Sequence, residues 1–416
     1  MPPGRQLTSL LQAGDVHAAL ASFYNHTPPA VSHLNDIVAV SGKGTHVFTA
    51  GGDSYLDMTS GIGVVSTGHC HVRVVHAVQA QAAKLVHAQQ NIFGAHEAGI
   101  SLIDRLLQIM PSASRPENVI NKFFFTNSGS EAIDNAIKVA RGHTGKPNII
   151  AFEGGFHGRT YGAMACTSSK TIYRQGFGPV MPGVFIAPYP ACLHCKASSD
   201  QEYPLPPDTQ HTMVKPRSCC NGPLEAVEWM LKMQTAPQET AGIIVEPILG
   251  EGGIITPPPG FLLGLRKLCD KHGMLLILDE GGTYGGNAVC LAAATATIDT
   301  IIEENCLENA KQRGNQLMQG LVDIASRQKC IKNVRGRGLM VGVELGHPSI
   351  GLDGSPPPGL AAAVVRSAAK QNVLLMTAGP RETVRFLPPL TVSPDEVDEA
   401  LSAFDAALKH AISGRH

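Results

Sequence analysis

The sequence predicts an α/β fold, with a mostly parallel sheet covered by helices on both faces and a smaller α+β unit after it. Short apolar runs bounded by glycine and proline alternate with stretches whose apolar residues recur at helical spacing. The runs are apolar along most of their length, which is typical of strands that are buried on both faces of a parallel sheet. From about Asn305 the pattern changes to short strands with helices between and after them.

Five segments of the larger unit have the composition of buried strands. They are NKFFFTN (121–127), NIIAFEG (148–154), GVFIAPY (183–189), GIIVEPI (242–248) and MLLILDE (274–280). Helices are predicted at 128–143 and at 261–273. Ser128 or Ser130 is expected to be the N-cap of the first helix, with Glu131 in its first turn. Ligands of such sheets bind at the carboxyl ends of the strands, so we expect the functional residues there.

The C-terminal unit is predicted to have strands in RGRGLMVGVEL (335–345), NVLLMTAG (372–379) and VRFLPPL (384–390). These elements predict three ranges: 1–50 as a segment that packs with the small domain, 51–305 as the large domain, and 306–416 as the small domain. Residues 192–222 are rich in proline, serine and cysteine, and we expect them to form a surface excursion.

The composition excludes several classes of function. The chain has 416 residues and a formal net charge of −1, so nucleic acid and anionic membrane are not expected as partners. It has no uninterrupted apolar run long enough to cross a bilayer. The first residues lack a signal-peptide core, but Arg5 and the scarcity of early acidic residues are compatible with an organelle-targeting segment. The sequence therefore leaves both a cytoplasmic and a mitochondrial location open.

The ten cysteines allow two interpretations. Cys192 and Cys195 form a CxxC pair, and the adjacent Cys219 and Cys220 follow in the same region. We prefer reduced thiols of an intracellular enzyme, with no bound metal. A zinc or iron–sulfur site is the alternative, although adjacent cysteines are not the usual second ligand pair of a zinc site.

The junction at Thr126-Asn127-Ser128-Gly129-Ser130 has the composition of a phosphate seat. Small residues meet the N-terminus of a helix, where free backbone N–H groups and the helix dipole attract anions. Gly129 lets the backbone approach closely, and Ser130 adds a hydroxyl donor. Taken alone, these residues are explained better by a simple capped helix.

Phe156 and His157 lie in a glycine-flanked segment after the second predicted strand. An aromatic ring in this position can stack on a flat ligand ring, which adds about 1 kcal/mol beyond area burial. A core phenylalanine beside a capping histidine is the alternative interpretation.

Three carboxylates and one arginine complete the set of candidates. Asp279 ends an apolar strand, where a buried carboxylate needs a cation such as a protonated pyridine nitrogen, unless it caps the next helix. Arg385 lies in an apolar strand and is suited to a bidentate carboxylate, either internal or from a substrate. Glu246 and Glu251 straddle a strand end and a glycine-rich turn, where they orient a cofactor or are ordinary loop charges.

Taken together and in this order, these segments resemble class III pyridoxal-phosphate aminotransferases, over about residues 35–401. The resemblance rests on GIGVVSTGHCHV (61–72), FFFTNSGSEA, FHGRT, VEPILGEGG, LLILDE, GGTYGGN and VRFLPPL. The chain is most similar to 4-aminobutyrate aminotransferase and related ω-amino-acid enzymes, and its PYPACLHC segment is similar to one in that branch. The resemblance implies a fold-type I homodimer that uses pyridoxal phosphate to move an amino group from an ω-amino acid to 2-oxoglutarate.

The resemblance also assigns the residues that bind the cofactor. Gly129 and Ser130 hold the phosphate in the family. Phe156 stacks on the pyridine ring with His157 beside it, and Asp279 pairs with the ring nitrogen. Asp279 is therefore also a catalytic candidate, because its charge keeps the ring cationic.

The remaining matched residues surround the substrate. Glu246 and Glu251 line the site near the Schiff base, and Glu251 is the second catalytic candidate. Thr283 reaches the phosphate of the other subunit. Arg385 binds the carboxylate of glutamate or 2-oxoglutarate, and Ile62 lines the pocket for the substrate chain.

Two departures from the family pattern occur. Val72 replaces a proline, which changes little. The second departure is larger, because Asp279 and Glu280 run directly into GGTYGGN (281–287). In the family a glutamine-containing loop, further strands and a lysine in an A-K-G-like context lie between these motifs. A few dozen residues are missing, among them the lysine that forms the Schiff base.

No other lysine is expected in an equivalent place, since Lys267 and Lys271 lie on the preceding helix and Lys311 lies well beyond the next one. Loss of a proton-shuttling base slows proton transfer by about 10²–10⁴-fold. We therefore predict no borohydride-reducible cofactor adduct and no transamination by this chain. The missing strands should also open the sheet and expose apolar surface.

Three hypotheses follow from this departure. The first is an aminotransferase whose sequence is shortened by a lost exon, a splice variant or a gene-model error. The second is a non-catalytic protein of the same fold that binds the cofactor or serves as a partner subunit. The third, another reaction such as decarboxylation, also needs the lysine.

Overall fold

A computed structural model describes residues 7–28, 31, 33–110, 119–191, 221–280, 286–346 and 359–413. The strands within these ranges are β1 (Ala39–Lys43), β2 (His46–Thr49), β3 (Ser54–Asp57), β4 (Asn148–Phe152), β5 (Val184–Ala187), β6 (Thr240–Val245), β7 (Leu275–Leu278), β8 (Ile331–Arg337), β9 (Met340–Leu345), β10 (Val373–Leu374), β11 (Met376–Ala378) and β12 (Thr383–Phe386). The helices are α1 (Leu7–Gln12), α2 (Val16–Asn25), α3 (Ser60–Gly63), α4 (Val72–Lys84), α5 (Gln90–Phe93), α6 (Glu97–Ile109), α7 (Gly129–Thr144), α8 (Tyr161–Cys166), α9 (Gly222–Met233), α10 (Phe261–His272), α11 (Ala288–Glu303), α12 (Cys306–Arg327), α13 (Leu360–Ala369) and α14 (Pro394–Ser413).

Four strands form an all-parallel sheet in the order β5-β4-β6-β7, which we call the parallel sheet. Side chains of β4 alternate between two apolar clusters, as the period of a strand requires. Ile150 and Phe152 pack with α9 and α10 on one face. Ile149 and Ala151 pack with α7 and α8 on the other face. The prediction of a parallel sheet covered by helices on both faces is confirmed.

The first predicted helix is confirmed as α7, and its N-cap is Ser128. Ile133, Ile137 and Ala140 form the buried stripe that packs against the parallel sheet. The helix ends at Gly145, whose φ of 68° lies in the left-handed region that glycine tolerates best. The second predicted helix is confirmed as α10.

Within the described residues, β7 has a neighbouring strand on one edge only. All six residues of β6 are buried, whereas β7 is partly exposed and Leu278 keeps 48% of its surface accessible. The prediction of a strand at 121–127 is wrong, because these residues join no ladder and Phe124 is 75% exposed. A strand must pair its backbone groups with a neighbour, and the link from Glu280 to Gly286 is too short to supply one.

The chain after this link packs on helices that come before the parallel sheet. α11 lies against α4 and α6, and Leu102 and Leu291 share a small apolar cluster with Phe125 at its border. Arg105 of α6 pairs with Asp299 of α11 at 2.7 Å. The beginning of α11 is therefore held close to the N-terminus of α7.

A second sheet, the C-terminal sheet, is antiparallel and has the strand order β11-β12-β9-β8. Phe386 of β12 and Phe404 of α14 are fully buried beneath it, with their ring centroids 5.4 Å apart. The predicted strands are confirmed in part: 335–345 contains the end of β8 and all of β9, 372–379 contains β10 and β11, and 384–390 contains most of β12, which ends at Phe386.

A third sheet has the order β1-β2-β3-β10 and joins the N-terminal strands to the C-terminal elements. Leu56 of β3 pairs with Val373 of β10, and Leu56 and Met58 belong to the same apolar cluster as the C-terminal sheet. The domain boundaries at residues 50 and 305 stay predictions.

Candidate active site

The N-terminus of α7 lies at the carboxyl-end side of the parallel sheet and is tightly capped. The Ser128 hydroxyl accepts a hydrogen bond from the Glu131 amide at 3.2 Å. The Glu131 carboxylate in turn accepts the Asn127 amide at 2.7 Å. This reciprocal arrangement resembles a capping box and fixes the direction of the helix.

Ser130, in the first turn of α7, joins this helix to the loop after β4. Its hydroxyl accepts a hydrogen bond from the Arg159 amide at 3.0 Å. The neighbouring Gly158 has a φ of 128°, and a Cβ there would overlap the Ser130 side chain. Glycine is therefore required at 158 for the loop to lie against the helix N-terminus.

Asp279 immediately follows β7 and is paired with His157. The carboxylate Oδ2 lies 2.8 Å from Nδ1 of the imidazole, and the histidine side chain is only 1% exposed. The Asp279 amide continues the ladder by donating to the Val245 carbonyl at 3.0 Å. The other imidazole nitrogen, Nε2, is buried without a hydrogen-bond partner among the described residues. His157 therefore orients the Asp279 carboxylate from its buried side.

Glu246 follows β6 and is 8% exposed. Its Oε1 accepts the Phe156 amide at 2.7 Å, and its Oε2 accepts the Gly250 amide at 2.8 Å. Burial raises the pKa of Glu246 to about 7, and the nearby His157 and the two amides oppose this rise. Glu246 ties the Phe156 loop to the turn that carries Glu251.

Glu251 lies at the centre of a second polar group. Its Oε1 accepts hydrogen bonds from Lys170 Nζ and from the Tyr173 hydroxyl, both at 2.8 Å. The Tyr173 ring also meets the Phe156 ring edge to face, with 5.0 Å between centroids. Burial, followed by the bond to Glu251, raises the pKa of Tyr173 to about 12, so that the phenol donates its proton to the carboxylate.

Arg385 of β12 faces this group and has few partners for a buried guanidinium. Its side chain is 5% exposed, and Nη1 lies 3.9 Å from Glu251 Oε2. Nη2 contacts the sulfur of Met376 at 3.5 Å, and Nε has no hydrogen-bond partner among the described residues. Burial lowers the pKa of Arg385, while Glu251 opposes this shift. A buried, charged donor of this kind is well suited to a ligand carboxylate.

The predicted site residues are brought together by these contacts. The network contains Gly129, Ser130, Phe156, His157, Glu246, Glu251, Asp279 and Arg385.

Ile62 is not part of this network of contacts. It is 63% exposed and has a φ of 69° in the turn after β3, so its role in a substrate pocket stays a prediction. Thr283 lies outside the described residues, and so do Cys192, Cys195, Cys219 and Cys220.

Lys170 and Tyr173 are site residues that sequence reasoning missed. Both residues follow α8: Lys170 precedes the 3₁₀ turn Thr171–Tyr173, and Tyr173 is its last residue. Their partner Glu251 lies 81 residues after Lys170 and 78 residues after Tyr173. The polar segment TSSKTIYRQ (167–175) has no periodic pattern that would single them out. The only pattern in the sequence that could indicate these residues is a lysine and a tyrosine three residues apart, after a glycine-flanked aromatic loop.

Among the described residues, no group of three metal-liganding side chains is close enough to hold an ion. No helix there combines the length and the apolar character needed to span a membrane.

The sequence model of the family "Aminotransferase class-III" matches residues 28–280 and 281–408. The two matched stretches meet between Glu280 and Gly281, where LLILDE runs directly into GGTYGGN. The match extends over both sheets that contribute to the site.

Characterised relatives are similar over most of the chain. It is 30% identical to 4-aminobutyrate aminotransferase of Escherichia coli, with 92% of this chain and 96% of the relative covered. It is 32% identical to acetylornithine aminotransferase of Methanopyrus kandleri, with 90% and 94% covered. The alignment with the Escherichia coli protein runs over 440 positions, more than the 416 residues of this chain, so it opens gaps in this chain.

Solved transaminase structures share the fold. An amine transaminase from an uncultivated Pseudomonas species, in its PLP-bound form, superposes with a TM-score of 0.76 at 23% identity, covering 90% of this chain and 95% of that one. A transaminase from the marine bacterium Virgibacillus superposes with a TM-score of 0.79 at 20% identity, covering 96% and 100%. At these identities the likeness establishes the fold, which is that of fold-type I transaminases.

Proposed function

The chain belongs to the class-III aminotransferase family, a family of pyridoxal-phosphate-dependent transaminases, and we propose that it is built to use an ω-amino acid and 2-oxoglutarate. Relatives of about 30% identity include enzymes named for 4-aminobutyrate and for 5-aminovalerate. We further propose that the chain as written is inactive as a transaminase because it lacks the lysine.

The observation that carries the substrate proposal is the state of Arg385. Its guanidinium is 95% buried by neighbouring residues, yet its nearest carboxylate is 3.9 Å away and its Nε has no partner within the described residues. Leaving a buried donor unsatisfied costs about 1–3 kcal/mol, and more when the group is charged. A substrate carboxylate would supply the missing hydrogen bonds, and 2-oxoglutarate carries two.

The residues present fit the phosphate and the ring of the family cofactor. The N-terminus of α7 at Gly129 and Ser130 suits the phosphate, because its first amides point outward. Asp279 is held by His157 at the end of β7 and suits a protonated pyridine nitrogen. Phe156 precedes His157 in the chain and is held by the bond from its amide to Glu246. When bound, pyridoxal phosphate supplies an electron sink for the charge that develops on the substrate carbon.

The proposal of inactivity rests on the join between Glu280 and Gly281. The family match divides there, the alignment with a relative needs gaps in this chain, and β7 has a neighbouring strand on one edge only within the described residues. Lys170, the lysine that the structure brings to the site, donates to Glu251 rather than lying next to Asp279. Without a lysine to move the proton, the reaction is expected to slow by about 10²–10⁴-fold.

A non-catalytic role is the second candidate. The preserved polar network favours the shortened aminotransferase over it, because a long-diverged non-catalytic chain would be expected to have lost Asp279, Arg385 and the α7 N-terminus, and all three keep organised surroundings. A chain of this kind binds pyridoxal phosphate non-covalently or pairs with a complete subunit.

We also propose that the chain forms a homodimer through the region of α4 to α6. Several large apolar side chains are exposed there: Val72 (75%), Ile92 (75%), Phe93 (67%) and Ile100 (61%). Clusters of exposed apolar residues mark interaction surfaces.

A glutamate-dependent half-reaction tests the proposed function. The segment between the two motifs in the Escherichia coli 4-aminobutyrate aminotransferase is inserted between Glu280 and Gly281, and conversion of bound cofactor by glutamate is followed by absorbance. The proposal expects conversion in the lengthened chain and none in the chain as written. Sequencing of transcripts across these two codons decides whether the short form is made in the cell.

A further inference from the structure

Glu251 lies in a tight turn, residues 250–254, that is closed by an antiparallel bridge. The Leu249 and Ile255 backbones exchange hydrogen bonds at 3.0 and 3.1 Å. Within the turn Gly253 has a φ of 119°, and the fully buried Ile254 has a φ of 54°. A β-branched residue in the left-handed region is strained, and such a conformation persists only where the surrounding contacts hold it.

Arg335 of β8 supplies the main contact that holds this turn. Its Nε lies 2.9 Å from the Gly253 carbonyl and 3.1 Å from the Ile254 carbonyl, and Nη2 lies 2.6 Å from the Gly253 carbonyl. Nη1 donates to Glu344 at 2.8 Å and to Asn333 at 3.0 Å. The side chain is 12% exposed. Nε and Nη2 bind the turn carbonyls while Nη1 binds the two side chains, so a lysine, with a single ammonium group, cannot reproduce the contacts.

Other groups of the C-terminal sheet side hold the same turn. The Gly379 amide donates to the Glu251 carbonyl at 2.5 Å, and a Cβ at 379 would come within 2.7 Å of the Gly252 carbonyl. Gly342 of β9 makes room for Ile254, since a Cβ there would lie 2.9 Å from the Ile254 Cβ. The backbone of the turn is therefore anchored to the C-terminal sheet.

The Glu251 side chain, in contrast, is shared between two anchors. Its Oε1 is bound by Lys170 and Tyr173, which follow α8 and do not belong to the C-terminal sheet. Its Oε2 lies 3.9 Å from Arg385, which does belong to that sheet. The position of the backbone decides how close Glu251 stays to Arg385.

We infer that Arg335 is a positioning residue for the substrate carboxylate. By holding residues 250–254 on the C-terminal sheet, it keeps Glu251 beside Arg385, where Glu251 competes with an incoming carboxylate for the guanidinium. Arg335 acts through the turn and contacts the turn's carbonyls rather than Arg385. The inference rests on the proposed function, in which Arg385 receives a substrate carboxylate.

Loss of the Arg335 contacts is expected to change the affinity for a dicarboxylate in one direction. When the turn is released, Lys170 and Tyr173 still hold Glu251, and the carboxylate moves with them away from Arg385. Arg385 then loses a competing anion, so affinity for a dicarboxylate rises. The contact between Glu251 and Arg385 is long, at 3.9 Å, so its loss is expected to raise the affinity by about threefold to tenfold, which corresponds to about 1 kcal/mol.

The test is calorimetric titration of the full chain with glutarate, in the presence of saturating pyridoxamine phosphate. Glu251→Gln and Arg335→Lys are each expected to tighten glutarate binding, and the double variant is expected to bind no tighter than Glu251→Gln alone. Gly379→Ala loosens the turn without touching Arg335 and is expected to act in the same direction. A purely structural role of Arg335 predicts weaker binding in both backgrounds, and that result would overturn the inference.

Two controls separate the outcomes. Arg327→Lys, the same substitution at an exposed position of α12, should leave glutarate affinity unchanged. Hydrogen exchange in the peptide 247–256, measured without ligand, should be faster in Arg335→Lys and unchanged in Arg327→Lys. Equal exchange rates in the two variants would overturn the inference. If neither the unsubstituted chain nor Glu251→Gln binds glutarate, the proposed function fails, while the exchange experiment still decides whether Arg335 holds the turn.

Discussion

β6 and β7 are neighbouring strands of one sheet, and both end in carboxylates of the candidate site, but their surroundings differ. All six residues of β6 are buried, and Glu246 after it is held by two backbone amides. None of the four residues of β7 is fully buried, and the strand has an open edge within the described part of the chain. Asp279 keeps its histidine partner, but the described residues that follow it add no strand to this sheet.

This difference separates two sides of the candidate site. The side around Glu251 and Arg385 is anchored on the C-terminal sheet. The side around Asp279 ends at the join between Glu280 and Gly281, where the two stretches matched by the family model also meet. We therefore predict that binding of a dicarboxylate and attachment of the cofactor are separable properties of this chain.

Restoring the missing segment should have the largest effect of any change. A chain that carries the inserted segment of the Escherichia coli relative gains a lysine that can move the proton, so its half-reaction rate should exceed that of the chain as written by at least about 100-fold. Stopped-flow absorbance with glutamate measures the rate. The matched control carries the same insert with alanine in place of its lysine, and equal rates for both inserts would contradict the account.

Substitution of Arg385 should abolish dicarboxylate binding, the property that we expect not to depend on the open edge of β7. Arg385→Met removes the buried guanidinium, and loss of a buried charged partner costs about 2–5 kcal/mol, or at least about 30-fold in glutarate affinity. Calorimetry of the chain as written measures this change. Arg327→Met is the control, since its partner Asp405 lies elsewhere on the surface. Unchanged affinity in Arg385→Met would place the carboxylate at another residue.

Matched truncations compare the two strands directly. Ile243→Ala in β6 removes a fully buried side chain and should lower the free energy of unfolding by about 2–5 kcal/mol. Leu278→Ala in β7 removes a side chain that is 48% exposed and should cost less than about 1 kcal/mol. Urea denaturation measures both values. Equal costs would show that β7 is covered in solution, for example by a second copy of the chain.

Protonation of Glu246 should have the smallest effect. Its folded-state pKa is raised from 4.5 to about 7, so between these values the folded chain binds a proton that the unfolded chain has lost. The free energy of unfolding therefore falls as the pH rises through this window, by on the order of 1–3 kcal/mol.

The thermal midpoint at pH 5 and at pH 7.5 measures this effect. Glu246→Gln should be less sensitive to this change of pH than the unsubstituted chain. Glu239→Gln, at an exposed position, should leave the pH dependence unchanged. A Glu246→Gln chain with the same pH dependence as the unsubstituted chain would argue that the carboxyl ionises freely.

Much of the fold could be predicted because its signals are local. Ser128 and Glu131 mark the start of α7 within four residues, and the apolar run before Asp279 marks β7. The segment 121–127 has equally strong β composition, but a strand exists only with a partner, and the composition of a segment does not report whether its partner is present.

The same reasoning explains which site residues were found and which were missed. Asp279 and Arg385 are charges in apolar strands, so each is conspicuous in the sequence. Lys170 and Arg335 lie in polar surroundings and act through contacts with Glu251 or its turn that span about 80 residues of chain. No periodicity connects such pairs, and only the folded structure shows them.

Treatment with borohydride after incubation with pyridoxal phosphate, followed by peptide mass spectrometry, tests the central claim most directly. The account predicts that the cofactor binds the chain as written, is removed by dialysis, and leaves no reduced adduct on any lysine. The lengthened chain should carry the adduct on the inserted lysine. A stoichiometric adduct on a lysine of the chain as written, Lys170 above all, would contradict the account, and so would a complete failure to bind the cofactor.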